Sequence, residues 1–186
     1  RNIYTAYLYA KRTTVSLFDL AEQYQTNDVT LSPAEIVVAD TNASKFVTRA
    51  PVGATLVLGI VSTDPGFVLG EWSNSGSVVP VALAGHVPVK VTGENGSITI
   101  NDEVALSKTV PGAAMKSDGT SPIVGIALEA FESTATTSLG SIEVFVRNQS
   151  LSSSNVFSSI KTLLTAWFAD MKTGAGDLFA ERGHFK

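Results

Sequence analysis

The chain has 186 residues, enough for one substantial core or for one domain with an accessory segment. Apolar residues make up 44% and charged residues only 16%, with Ser, Thr, Gly, Ala and Val in their place, as on rigid β scaffolds and on proteins that bury surface against copies of themselves. A net charge of −4 with no run of Lys or Arg excludes the footprint of a nucleic-acid binder; no apolar run reaches the roughly 20 residues of a membrane span, and the lack of cysteine excludes disulfides and thiolate metal sites.

The chain begins at Arg1 rather than Met and reads as a processed or trimmed product. Residues 1–14 alternate loosely and are rich in aromatics (Tyr4, Tyr7, Tyr9), which predicts an extended strand. Residues 15–25 read as a short strand or turn, 31–40 as a strand entered through Pro33, and 46–49 and 55–62 as further strands. Thr63-Asp64-Pro65-Gly66 is a turn, since Pro and Gly favour chain reversal. Residues 78–83 and 87–92 read as a pair of strands with Gly85-His86 between them, and Pro80 and Pro88 argue for strand starts, edges or bulges. Asn95-Gly96 supplies a hairpin turn into 97–100, followed by strands at 103–107, 123–131 and 141–147. Val57-Leu58-Gly59-Ile60 is echoed by Ile123-Val124-Gly125-Ile126, as two similar strands of a pseudo-symmetric small barrel would be.

Together, 15–148 form a compact barrel or sandwich of short antiparallel strands, so the fold class is mainly β. Residues 149–155 are a polar linker. Over 156–173 Phe157, Ile160, Leu164, Trp167 and Met171 recur at spacings of three and four, with Leu163 and Phe168 widening the stripe, which predicts one amphipathic helix. Gly174 and Gly176 end it, and 174–186 form an extended tail.

Side chains that could carry chemistry are sparse. His86 and His184 are the only histidines, and neither has a second ligand at a metal-like spacing. His86 reads as a turn residue. Asp102, Glu103 and Asp118 read as solvated turn carboxylates. The glycines match neither a dinucleotide fingerprint nor a phosphate-binding loop, so no cofactor is expected. Asn42, Asn95 and Asn148 head N-x-S/T sequons, which have meaning only on an exported chain.

The sharper element is Phe18-Asp19-Leu20-Ala21-Glu22. The order D-x-A-E, P-x-E-I-V-V, L-G-I-V-S-T-D-P-G and P-V-A-L-A-G-H-V-P-V-K-V resembles the β-rich domain of bacterial surface and phage-tail-fibre-like proteins. More distantly it is similar to the self-cleaving C-terminal chaperone domains (peptidase G2-like) of phage appendage proteins. The resemblance spans about residues 17–146. It implies an all-β module on a fibrous, oligomeric, extracellular protein. In the self-cleaving relatives the acidic residues serve backbone cleavage beside a Ser or Asp, which would place Asp19, Glu22 and the upstream Ser16 in that role. Leu17 and Phe18 stand where a small residue and glycine are the family pattern.

Both ends carry apolar surface too large to leave wet. A strand at 1–14 needs a sheet edge, its own or a neighbour's, and strand donation between subunits builds durable fibres. The helix must cover its stripe on the barrel or on equivalent helices of a trimer or filament. The first reading is therefore a structural, self-assembling, extracellular subunit without enzymatic activity, with Tyr4, Tyr7, Tyr9, Phe157, Ile160, Leu164, Trp167 and Phe168 as contacts between copies. A self-cleaving chaperone domain is the alternative. A glycan- or receptor-binding module using Trp72 is a third.

Overall fold

In a computed structural model of the chain, residues 18–70 and 77–149 and Thr165 are described. The expected strand at 1–14, Ser16, Trp72, the linker beyond Gln149, the helix at 156–173 (Thr165 apart) and the tail with His184 lie outside the described residues, as do all eight aromatic and aliphatic contacts expected at the two ends.

The described residues are nearly all strand and turn. Ten strands follow in chain order: β1 (Asp19–Thr26), β2 (Ile36–Ala39), β3 (Phe46–Arg49), β4 (Gly59–Val61), β5 (Phe67–Leu69), β6 (Ser77–Thr92), β7 (Glu103–Leu106), β8 (Ala114–Lys116), β9 (Ile123–Ala127) and β10 (Leu139–Gln149). The mainly β fold class expected from sequence is what forms. Pairing closes twice on β6. One ring runs β6-β4-β2-β3-β1 and back to β6; the other runs β6-β8-β7-β9-β10 and back to β6. β5 is added outside the first ring, parallel to β1 at Leu20–Glu22. Two small barrels thus share one strand, and closure removes most exposed strand edges.

β6 corrects the sequence reading of two strands around a Gly85-His86 turn. It is one 16-residue strand. Its first half pairs with β1 from Ser77 to Gly85, and its second half pairs with β10 from His86 to Thr92. On the other edge, β4 meets Val81 and Ala82 while β8 meets Val91. The pairing slips between Leu20 and Ala21, which face Ala84 and Ala82, so Leu83 is the extra residue of a bulge. The bulge inverts the strand's faces. Before it Val79, Val81 and Leu83 serve the smaller core with Val37, Val47 and Val61; after it Val87, Val89 and Val91 serve the larger core with Val104, Leu106, Ile142 and Val144. Pro80 and Pro88 sit inside β6, opposite Gln23 and Glu143, rather than at its ends.

Other boundaries tighten. β2 begins at Ile36 and β4 at Gly59, later than the apolar runs suggest, because the preceding residues take turn and irregular conformations. Gly96 adopts φ +88 in the expected turn, but 97–100 contributes only a single bridge, Ile98 to Phe131. The internal echo has a structural counterpart. A Cβ on Gly59 would lie 2.5 Å from the Ala82 carbonyl oxygen and from Val81 Cγ1; one on Gly125 would strike the Phe145 carbonyl and lie 2.6 Å from Val144 Cγ1. Each glycine lets its strand press against a neighbouring strand, in one barrel each.

A buried carboxylate ties the barrels at the other side. Glu35, just before β2, has a side chain only 6% exposed. It accepts from Arg49 Nε at 2.9 Å, Lys90 Nζ at 2.6 Å and the Ser32 N–H at 3.0 Å. Gly112 lies over the Arg49 stem, and its backbone bonds Ile36 and Ala50. Burial alone would raise the Glu35 carboxyl; the Lys90 ammonium, the Ser32 N–H and Arg49 hold it below its ordinary 4.5.

A depressed carboxylate stabilises the fold above its unfolded-state pKa, and that stabilisation is lost as pH falls through the lower folded value. Glu35→Gln is expected to cost about 1–3 kcal/mol at pH 7, the worth of hydrogen bonds to a charged group. Urea midpoints at pH 7 and at roughly pH 3 check this. The gap between the two proteins should shrink at the lower pH.

Candidate functional site

At the middle of β6 the two barrels meet, and there β1 begins and β10 parts from β6. β1 starts at Asp19 opposite Gly85, one residue before β10 takes up pairing with Phe145 opposite His86. Beyond Phe145, β10 leaves β6 and continues only along β9. Where the strands part, a cavity of about 200 Å³ is lined by Phe18, Asp19, Ser62, Thr63, Asp64, His86, Val87, Pro88 and Glu143.

The backbone here is tightly held. Gly85 adopts φ +99, which a side chain would strain. A Cβ on Gly85 would collide with the Phe18 carbonyl oxygen and lie 2.7 Å from Asp19 Cα. That carbonyl accepts the His86 N–H at 3.3 Å. The Phe18 ring stacks on the His86 imidazole, with centroids 4.5 Å apart and planes 20° off parallel. The imidazole is fixed from the other side by Glu143, whose Oε1 lies 2.7 Å from Nδ1. A carboxylate at Nδ1 favours the proton there and leaves Nε2 able to accept one.

Two buried oxygens at this cavity lack partners among the described residues. Asp19 is 7% exposed; its Oδ1 accepts the Gly66 N–H at 3.0 Å while Oδ2 has none. Ser62 is 4% exposed and its Oγ has none either, although its N–H bonds the Pro80 carbonyl. Leaving such groups unpaired costs about 1–3 kcal/mol each. Gln23 is also unpartnered, but it sits on β1 against Gly70, away from this cavity.

Of the acidic pair singled out by sequence, only Asp19 reaches the cavity. Glu22 lies further along β1 and accepts the Tyr24 hydroxyl at 2.8 Å. Burial and then that carboxylate push the Tyr24 hydroxyl above its ordinary value. The sequence reads His86 only as a turn residue and does not mark Ser62 or Glu143. The only sequence signal for them was the rarity of histidine, because Glu143 is 57 residues from its partner.

The remaining candidates lie elsewhere. Asn42 is exposed in the turn after β2, where its N–H caps Asp40 at 2.8 Å. Asn95 is exposed, and its amide donates to the Lys116 and Ser117 carbonyls at 3.0 and 3.3 Å. The side chain of Asn148 lies outside the described residues. Asp102 pairs with Lys116 at 2.8 Å and is held below its usual range by that contact and by the Thr99 N–H. Asp118 pairs with Lys108. Burial opposes the charge on Asp118, yet Lys108, Thr120 and the Ser121 N–H hold it far below the usual carboxylate range. Two larger cavities lie elsewhere, one between the β3–β4 connection and the second barrel and one on the second barrel. One, of about 280 Å³, is lined by Gly53, Leu106 and Pro122 among others; the other, of about 350 Å³, has its charged groups already engaged, Lys108 with Asp118 and Glu94 with the Lys108 N–H. Among the described residues no group of three or more His, Asp or Glu side chains is placed to hold a metal ion, and no helix is long and apolar enough to cross a membrane.

The fold is shared with a bacteriophage protein. The crystal structure of the pre-mature bacteriophage phi29 gene product 12 superposes with a TM-score of 0.54 at 16% identity, over 75% of this chain and 23% of that one. The C-terminal fragment of the same gene product superposes with a TM-score of 0.50 at 16% identity, over 69% of this chain and all of the fragment. The chain thus matches under a quarter of the pre-mature protein's length. No protein-family model and no curated protein matches the sequence.

Gly85 is the residue that lets β1 dock against the kinked β6. Gly85→Ala forces positive φ on a side chain and drives a methyl into the Phe18 carbonyl, so destabilisation of about 2–4 kcal/mol is expected. Chemical denaturation measures it. A variant within about 0.5 kcal/mol of the parent would show that the Phe18–Asp19 backbone is not held there.

Proposed function

We propose that the chain is a structural module of an extracellular fibre or surface appendage of the bacteriophage type, assembling as a homo-oligomer through segments at its two ends. The observation that carries this is the exposed aromatic surface where β1 begins. The segment before Phe18 joins the fold beside β6 at the junction of the barrels, whereas the segment after Gln149 leaves from the end of β10, beside β9. Phe18 (66% exposed) and Phe145 (47% exposed) flank His86 at that junction, an aromatic surface suited to contact between copies. The double barrel supplies a rigid body, since nearly every strand is paired on both edges. The likeness of fold to a bacteriophage gene product supports the appendage role.

Size-exclusion chromatography with light scattering, and electron microscopy, test the reading. The unaltered chain is expected to form a defined oligomer or filament. Deleting residues 1–14, or replacing Phe18 and Phe145 together by Ser, should weaken association about tenfold or more. A monomer at every concentration would sink the reading.

A second reading is a self-cleaving intramolecular chaperone domain, and one observation favours it. The Phe18–Asp19 peptide has its carbonyl clamped between Gly85 and the His86 N–H, while the Asp19 carboxyl beside it is buried with one oxygen unpartnered. The unaltered chain is then expected to release a fragment beginning at Asp19, seen by intact mass. Asp19→Asn should abolish the release.

A further inference from the structure

We infer that His86, oriented by Glu143, is the general base and acid of hydrolysis at the Phe18–Asp19 bond; this rests on the self-cleavage reading just given and extends it to residues that reading does not assign.

Four observations converge on one peptide bond. The Phe18 carbonyl already accepts a backbone N–H from His86, and it sits against Gly85 where a Cβ would collide with it. Charge developing on that oxygen therefore meets a donor held in place before the reaction. The imidazole stacks on the side chain of the acyl residue itself. Glu143 engages Nδ1, so Nε2 is the nitrogen left to move a proton. Asp19 Oδ2 and Ser62 Oγ are buried, unpartnered, and line the same cavity. They are polar positions for the attacking water, which is the co-reactant.

The step balances. Nε2 takes one proton from water while the hydroxide oxygen bonds the Phe18 carbonyl carbon. The carbonyl electron pair moves onto oxygen, towards the His86 N–H. As the pair returns, the carbon–nitrogen bond breaks, and the imidazolium gives its proton to the departing Asp19 nitrogen. The products are a carboxyl at Phe18 and an amine at Asp19. Water is consumed and no oxidant or reductant is required. Glu22, on Tyr24 and away from the cavity, is not needed for proton transfer.

The test follows fragment release from the full chain by intact mass across roughly pH 5 to 9, spanning the ordinary histidine range. The unaltered chain is expected to release the fragment at a pH-dependent rate, as general-base catalysis requires. His86→Gln, which keeps the backbone N–H, should slow release about 100-fold or more and flatten the pH profile, with partial rescue by added imidazole. Glu143→Gln should slow it about tenfold. Thermal melting identifies any variant that fails to fold, and the Glu143→Gln result then stands in for that of His86. Cleavage of folded His86→Gln at the parent rate, with Asp19→Asn inert, overturns the role of His86 and leaves self-cleavage intact. No fragment from the unaltered chain at any pH overturns both.

Discussion

The structure depends on one strand serving two barrels. β6 gives its first half to β1 and β4 and its second half to β10 and β8. Both cores draw on its side chains. A strand has two edges and two faces, and a straight one would present the same alternation along its whole length. The bulge at Leu83 and the positive φ of Gly85 break that alternation, so one strand can face two cores that lie on different sides. Without the kink, either Val79–Leu83 or Val87–Val91 would turn towards solvent, and one barrel would lose its wall.

The kink also makes the site. A glycine at positive φ admits a neighbouring carbonyl where a Cβ would stand, and the carbonyl admitted is that of Phe18. β10 must leave β6 where β1 takes over, and the gap where they part is the cavity of Asp19, Ser62, His86 and Glu143. The candidate chemistry is thus a by-product of joining two closed sheets. Its position is fixed by topology rather than by loop sequence, which holds the groups more rigidly than a loop would.

Much of the fold is legible in local pattern. The strands at 46–49, 103–106 and 123–127 fall where β-branched runs lie between turn formers, because alternation and turn chemistry act over a few residues. The echo between Gly59 and Gly125 is legible too, and both glycines prove to sit under a neighbouring strand. Long-range decisions are not legible. Ala84-Gly85-His86 has the composition of a turn, and only the docking of Phe18, some 67 positions earlier, makes it a kink inside a continuous strand. The double closure depends on pairings such as Asp19 with Gly85 and Leu139 with Thr92, which leave no mark on either segment. Asp19 was visible as part of an acidic element, but its companions were not, since His86 and Glu143 are joined only by register.

Two buried carboxylates show how the protein divides its electrostatic demands. Glu35 fills its hydrogen-bonding capacity with two cations and a backbone N–H, drawn from the segment before β2, from β3 and from β6. A buried charge so paired fixes the relation of these elements. Asp19 is as deeply buried, yet it receives one backbone N–H and keeps one oxygen unpartnered, with Ser62 in the same condition across the cavity. Both sites lie along β6, one near each barrel's share of it. A fold able to satisfy Glu35 so fully had the means to pair Asp19, and bears a cost of about 1–3 kcal/mol per group for not doing so. Unpaired polar groups persist where the surrounding structure over-determines them, and they gather at functional sites. The contrast sets Glu35 apart as the strut of the double barrel and marks the start of β1 as the place where stability is given up.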